Sequence, residues 1–118
     1  MKTHHELKVW NDSIGLVDDI YDITLSFPDF EKQGLASQMQ RAAVSVASNI
    51  AEGATRNSDK KFIRFLNYST GSISELETQL IIARNRKYVH NIDQNIELIV
   101  TIRKELFGLI RYVKNKTK

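Results

Sequence analysis

Four segments of the chain show helical rather than strand periodicity, with apolar residues recurring every three or four positions. In the first segment the predicted buried stripe comprises Leu7, Trp10, Ile14, Val17, Tyr21 and Thr24, widened by Ile20, Leu25 and Phe27. Pro28 ends this helix, because proline disfavours helical geometry in the residue before it.

The second and third segments carry the clearest stripes. The second helix is predicted over about residues 35–52, and its stripe is Leu35, Met39, Ala42, Ala43, Val46 and Ile50. Gly53 follows and is predicted to close this helix in the left-handed conformation. The third helix is predicted to begin at Asn57 or Ser58, either of which can cap it. Its unbroken stripe is Phe62, Leu66, Ser69, Ile73, Leu76, Leu80 and Ala83.

The fourth helix is predicted to start at Asp93, and residues 114–118 are expected to fray. Its apolar positions are Ile96, Ile99, Leu106, Ile110 and Val113, with Ile102 and Leu109 beside them. Short connections favour antiparallel neighbours. The sequence therefore predicts an all-α, antiparallel up-down-up-down four-helix bundle, with residues 1–118 forming a single domain.

The amino-acid composition excludes most kinds of catalytic and metal-binding site. The chain has no cysteine, which excludes disulfides, thiolate metal sites and a cysteine nucleophile, and its three histidines lack metal-ligand spacing. No glycine-rich phosphate loop appears. We therefore predict no catalytic residue, no metal and no cofactor. The apolar runs are short and the N-terminus lacks a signal-peptide pattern, so we expect a cytoplasmic protein without membrane contact.

The second helix has an unusual polar face, formed by Gln38, Arg41, Ser45, Ser48, Asn49 and Glu52. One interpretation is a solvated face with Arg41–Ser45 and Ser48–Glu52 pairs. The alternative is a buried or subunit-facing surface, since small serine and asparagine side chains let another helix approach closely. A run of small residues at positions 69–72 of the third helix favours tight packing within the chain over a ligand site.

Residues 38–53, QMQRAAVSVASNIAEG, closely resemble the motif of the four-helix bundle proteins encoded in bacterial 23S ribosomal RNA intervening sequences. The resemblance covers roughly residues 7–90. Its other matching residues are Val9-Trp10, Phe27-Pro28, Arg56, Phe62, Phe65-Leu66, Gly71-Ser72 and Glu75-Leu76-Glu77. Two positions depart from the family pattern: Gln40 replaces the first of two arginines, and Ala47 replaces a proline.

The resemblance implies a non-enzymatic bundle that assembles into a cyclic homopentamer. A similar bundle is the accessory protein of diversity-generating retroelements, which binds nucleic acid and a reverse transcriptase. Arg41, Ser45, Ser48, Asn49, Glu52 and Gly53 belong to the motif that carries the resemblance, and they are either the candidate oligomer interface or only the signature of the family. The loss of an arginine at Gln40 weakens the transfer of nucleic-acid contacts to that point.

The net charge of +3 hides a strong separation of charge along the chain. Residues 1–35 carry three lysines against seven acidic residues, whereas residues 103–118 carry six basic residues against one glutamate. In an antiparallel bundle the start of the third helix and the end of the fourth lie together. The predicted basic pole comprises Arg56, Lys60, Lys61, Arg64, Arg111, Lys114, Lys116 and Lys118, with Lys2 and Lys8 nearby. Asp18, Asp19, Asp22, Asp29 and Glu31 are predicted at the other end, beside Arg84, Arg86 and Lys87.

Two functions fit these features. The first is a homo-oligomeric accessory or scaffold protein whose basic pole binds the RNA or DNA backbone, with Tyr68 and Tyr112 as stacking faces. The alternative is a protein–protein interaction module with no nucleic-acid role, its partner a protein such as a reverse transcriptase. In that case the cations of the pole serve solubility, because positive charge near helix C-termini is favourable in any protein.

Overall fold

The computed structural model describes residues 4–116, which form four α-helices and two short 3-10 turns. The helices are α1 (Lys8–Thr24), α2 (Leu35–Ala54), α3 (Asp59–Asn85) and α4 (Asp93–Lys116). The turns are His4–Glu6 and Asp29–Glu31. The described residues contain no strand, and they span 49 × 23 × 20 Å.

Contacts between named residues show that neighbouring helices run antiparallel. Ser45 and Val46 of α2 hydrogen-bond to Ser72 and Ser69 of α3 respectively, so the numbering descends on α3 as it ascends on α2. Each helix packs on the next in chain order, and α4 closes the circle on α1, within residues 4–116. The predicted up-down-up-down four-helix bundle is therefore confirmed.

The boundaries of α3 follow from local hydrogen bonding. Ser58 caps its start, as predicted, because the Ser58 hydroxyl accepts a hydrogen bond from the Lys61 backbone N–H at 3.2 Å. At its end, Lys87 adopts a left-handed φ of 67°. The N–H groups of Lys87 and Tyr88 donate to the carbonyls of Arg84 and Ala83, both at 2.9 Å, in the Schellman arrangement that glycine usually adopts.

The buried residues of the four helices form one hydrophobic core. All seven predicted stripe residues of α3 are buried, and so are those of α2 except Leu35, which is half-buried. On α4 the predicted positions also face the core, with Ile96 and Leu109 partly exposed. A single apolar stripe per helix was enough to identify the buried face of these three helices.

The predicted buried stripe of α1 is wrong in part. Ile20, Thr24 and Phe27 are buried as predicted, and Leu7, Trp10 and Val17 are partly buried against the core. Ile14, Tyr21 and Leu25 are exposed, and the core-facing residues that the prediction missed are Val9, Ser13 and Leu16. Ser13 conceals the true stripe in the sequence, because it is polar yet fully buried. Its burial is tolerated because its hydroxyl donates a hydrogen bond to the Val9 carbonyl at 2.7 Å.

The expected fraying of residues 114–118 is also corrected. Helix α4 continues through Lys116, whose Nζ lies 3.6 Å from the Asp59 carboxylate at the start of α3. Residues 117 and 118 lie outside the described residues, as do residues 1–3.

Candidate nucleic-acid and assembly surfaces

Gly53 sits inside α2, where it brings α2 and α3 into close contact. Its φ is not positive, so the predicted left-handed closure is wrong. A Cβ at this position would lie 2.8 Å from the Phe65 Cβ and 3.0 Å from the Phe62 Cδ1. Only glycine leaves the room that these two aromatic side chains occupy, so Gly53 sets the spacing between the two helices.

The small polar residues of α2 and α3 bond to one another across the helix pair. The buried Ser69 hydroxyl donates to the Val46 carbonyl at 2.9 Å, and the Ser72 hydroxyl donates to the Ser45 hydroxyl at 2.9 Å. Asn49 donates to the Ser45 carbonyl at 2.9 Å within α2. Packing within the chain, predicted for the small residues of α3, is thus confirmed for Ser69 and Ser72.

The remaining polar residues of α2 face solvent. Arg41, Ser48 and Glu52 are exposed, and Glu52 forms an ion pair with Arg56 one turn later. The solvated-face interpretation predicted Arg41–Ser45 and Ser48–Glu52 pairs. Glu52 pairs with Arg56 instead, and Ser45 forms a hydrogen bond with Ser72. Arg41, together with Gln38, Ser45 and Glu75, lines a polar groove of about 290 Å³ between α2 and α3.

The basic pole forms at the end of the bundle where α2 and α4 end and α3 begins. Lys60, Lys61, Arg64, Arg111 and Lys114 are all exposed there. Arg56 is exposed too, and its guanidinium carbon lies 5.0 Å from the centre of the Phe65 ring in a cation–π contact. Lys2 and Lys118, which the sequence placed nearby, lie outside the described residues.

The opposite end carries the acidic residues of α1. Burial, followed by the charges of Asp22 and Asp18, raises the pKa of Asp19 above its ordinary value. Glu31 is structural, because its carboxylate accepts hydrogen bonds from the Leu35 N–H at 3.1 Å and from the Tyr88 hydroxyl at 3.0 Å. Acidic residues are thus concentrated at this end, where the exposed Arg84, Arg86 and Lys87 offset part of their charge.

Between the poles, one charged cluster joins α1 to α4. The Lys8 ammonium lies 2.8 Å from the Asp12 carboxylate and 3.0 Å from the Glu105 carboxylate. Burial raises the pKa of Glu105, against the opposing effect of Lys8, and one Glu105 oxygen is buried without a hydrogen-bond partner. Lys8, expected near the basic pole, is thus neutralised by two acidic neighbours.

The core opens into a cavity at the basic pole, which we call the end cavity. Its volume is about 410 Å³. Its walls are Leu7, Ala54, Phe62, Leu109, Tyr112, Val113 and Lys116, which come from the end of α2, the start of α3, the end of α4 and the residue before α1. No sequence pattern predicts this cavity, because it depends on where separate helix ends lie relative to one another.

Two partly exposed apolar strips run along opposite sides of the bundle, and their half-buried members are Trp10, Val17 and Ile96. The α1–α2 strip comprises Trp10, Ile14, Val17, Tyr21 and Val44. It lies beside the groove between α1 and α2, because Tyr21 is one turn before Thr24, which bonds to Gln40 of α2, and Val44 is one turn after Gln40. Most of its residues are those predicted to face the core.

The α3–α4 strip comprises Ile81, Ile96, Val100 and Phe107. Val100 and Phe107 flank Arg103, whose guanidinium pairs with Glu77 of α3 at 2.7 Å, and Ile81 is one turn beyond Glu77. Because the helices follow one another around the bundle, the α1–α2 and α3–α4 pairs lie on opposite sides. Contiguous exposed apolar surface is typical of an interaction site.

The described residues contain no group of three or more histidine, cysteine or acidic side chains placed to hold a metal ion. His4 and His5 instead contact the ring of Trp10, at centroid distances of 5.0 and 5.1 Å. No helix within residues 4–116 has the length and apolarity that crossing a membrane requires.

The fold and its surfaces define a four-helix bundle with separated charges and two apolar strips. The model of the 23S rRNA-intervening sequence protein family matches residues 5–108, and the chain belongs to that family. The comparison with curated proteins gives no match.

Proposed function

We propose that the protein is a non-enzymatic scaffold whose basic pole binds the phosphate backbone of RNA or DNA. The observation that carries the proposal is the set of exposed cations at one end of the bundle, at Lys60, Lys61, Arg64 and Arg111. Clustered lysine and arginine side chains bind phosphates without reading sequence, and each contact releases counterions. Negative charge at the opposite pole would orient the bundle towards a polyanion.

Charge reversal at the two ends tests this role. A variant with Lys60→Glu, Lys61→Glu and Arg64→Glu removes cations from the basic pole. The matched control has Arg84→Glu, Arg86→Glu and Lys87→Glu, which changes the net charge equally at the opposite end. We expect the first variant to lose oligonucleotide binding, and the control to keep the salt dependence of the wild type.

The measurement is fluorescence anisotropy of a labelled RNA and a labelled DNA over a range of salt concentrations, after nuclease treatment of the purified protein. Equal loss in both variants would show that net charge alone attracts the polyanion. If the wild type binds neither oligonucleotide and nuclease-treated protein retains a protein partner, the protein–protein interaction module is the better explanation.

We also propose that the protein assembles with copies of itself through the two apolar strips. Their position on opposite sides suits a head-to-tail contact, in which the α1–α2 strip of one copy covers the α3–α4 strip of the next. A contact between two different surfaces forms a closed ring when its rotation allows. The family resemblance implies a ring of five. An interface role for Arg41, Ser48 and Glu52, all exposed on α2, remains a second prediction.

Substitutions that break one strip at a time test the head-to-tail contact. Ile14→Lys with Tyr21→Lys disrupts the α1–α2 strip, and Val100→Lys with Phe107→Lys disrupts the α3–α4 strip. The control is Tyr68→Lys with Ile82→Lys, which places the same charges at exposed apolar residues outside both strips. We expect monomers from the two strip variants and an unchanged particle from the control.

Mixing the two strip variants gives the sharper result, read by light scattering or native mass spectrometry. Each variant keeps one intact strip, so a head-to-tail contact predicts a one-to-one heterodimer that grows no further. A contact between identical surfaces would predict no such heterodimer. A wild-type monomer, or an oligomer that survives both strip variants, would contradict the assembly.

A further inference from the structure

The end cavity has apolar walls and basic residues in or beside them. Neither binding to the phosphate backbone nor packing of the core requires this combination. Leu7, Leu109 and Val113 give it aliphatic walls, and Phe62 and Tyr112 contribute aromatic rings. The Tyr112 side chain is 63% exposed, so its ring stands at the mouth of the cavity. At about 410 Å³ the cavity falls within the range of small-molecule sites, about 300–1,000 Å³.

Basic residues lie in the wall of this cavity and next to it along the chain. Lys116 lines the cavity and pairs with Asp59, while Arg111 and Lys61 are the immediate chain neighbours of the wall residues Tyr112 and Phe62. An occupant that uses both features offers a flat or apolar body to the walls and negative charge to Arg111 and Lys61. A purely apolar occupant, such as the side chain of a partner protein, would leave these two cations without a counterpart.

We propose that the end cavity receives an unpaired nucleobase of a single-stranded RNA or DNA, while the cations around it hold the flanking phosphates. This inference rests on the proposed nucleic-acid role and specifies the ligand as a single strand with an unpaired base. Aromatic and aliphatic walls accept any base, because every base has a π-face, so little sequence preference is expected. A duplex keeps its bases stacked inside and must extrude one before the cavity can take it. The basic pole therefore prefers single strands to duplexes.

The test compares three ligands of equal length: a single strand, the same strand with abasic sites, and a duplex. Because the duplex carries about twice as many phosphates, its affinity is compared between variant and wild type rather than with that of the single strand. Two variants are compared with the wild type, namely Tyr112→Ala at the cavity mouth and Phe30→Ala in the turn at the opposite end of the bundle. Both aromatic residues are exposed, at 63% and 77% respectively, so both variants are expected to fold, which circular dichroism checks. Binding is measured by anisotropy at several salt concentrations.

We expect Tyr112→Ala to weaken single-strand binding by about 5- to 100-fold, since stacking on one aromatic side chain contributes that much per base. The slope of affinity against salt stays the same, because the phosphate contacts remain. Abasic and duplex ligands bind the Tyr112→Ala variant and the wild type equally, and Phe30→Ala changes nothing.

The possible outcomes distinguish failure of the nucleobase site from failure of the nucleic-acid role on which that site rests. If the wild type binds abasic and normal strands equally, the basic pole binds backbone alone and the nucleobase site is wrong. If Tyr112→Ala weakens all three ligands by one factor, Tyr112 supports the fold of the pole rather than a base, and the site is again wrong. If the wild type binds none of the ligands, the nucleic-acid role itself fails.

Discussion

Replacing Gly53 by alanine should destabilise the protein, even though alanine favours helices. The added Cβ would lie 2.8 Å from the Phe65 Cβ, 3.0 Å from the Phe62 Cδ1 and 3.3 Å from the Phe62 carbonyl oxygen. Two of these three atoms belong to the backbone or sit directly on it, so a side-chain rotation cannot remove the clash. The helices α2 and α3 must move apart along the serine contacts that join them.

The magnitude follows from two opposing effects. Overpacking of this kind costs about 1–3 kcal/mol, and relief of glycine's backbone entropy returns about 0.5–1 kcal/mol. The difference spans about 0–2.5 kcal/mol, so we expect Gly53→Ala to lower the free energy of unfolding by about 1 kcal/mol, a fall in melting temperature of roughly 3–6 °C. Urea unfolding followed by circular dichroism measures the change, at one fixed protein concentration because assembly also affects stability.

Gly71→Ala is the matched control for this substitution. Gly71 lies within α3, and a Cβ there meets no atom within 4 Å. We expect this control to gain about 0.5–1 kcal/mol from helix propensity. If Gly53→Ala gains stability to the same extent, the close approach of α2 and α3 does not constrain position 53, and our explanation of this glycine is refuted.

Three further changes test other contacts. Lys87→Gly should raise the free energy of unfolding by about 1 kcal/mol, because Lys87 holds a left-handed φ of 67°; unchanged stability would refute this. Ser69→Ala should cost about 1 kcal/mol, since it leaves the Val46 carbonyl without its buried donor; Ser72→Ala, at a half-buried site, should cost less. Burial raises the pKa of Glu105, so the folded state holds this proton more tightly than the unfolded state. Stability should therefore fall as the pH rises from the ordinary carboxyl pKa to the raised one, and Glu105→Gln should flatten that fall in denaturation curves measured at several pH values.

The architecture could be predicted because three of the helices each carry a single apolar stripe. On α3 the stripe runs unbroken from Phe62 to Ala83, so only one face can be buried. The positions of the charged ends then followed from antiparallel packing alone. Capping by Ser58 was also predictable, because it needs only a side-chain oxygen at the start of the helix.

Features that depend on a neighbouring helix could not be predicted. In the sequence, Gly53 follows the apolar stripe of the second helix, which is where a glycine that ends a helix is expected. Only the positions of Phe62 and Phe65 reveal that Gly53 instead allows α2 and α3 to pack closely. Conversely, the left-handed residue of this chain is Lys87, where the sequence has no glycine to mark it. The end cavity belongs to the same class, because no single segment contains it.

The predicted α1 residues that the bundle leaves exposed support self-assembly. Trp10, Ile14, Val17 and Tyr21 recur at helix-packing spacing, yet Ile14 and Tyr21 are exposed and Trp10 and Val17 are only partly buried. The fully core-facing stripe of α1 contains Val9, Leu16 and Ile20. Apolar periodicity reports every surface that packs on a helix, whether the partner belongs to the same chain or to another. The bundle accounts for one stripe of α1 and leaves the second half-exposed on the side away from α4. A head-to-tail neighbour would cover this second stripe. Ile14 and Tyr21, which were predicted to be buried and are exposed in the single chain, are therefore the residues that the assembly test replaces.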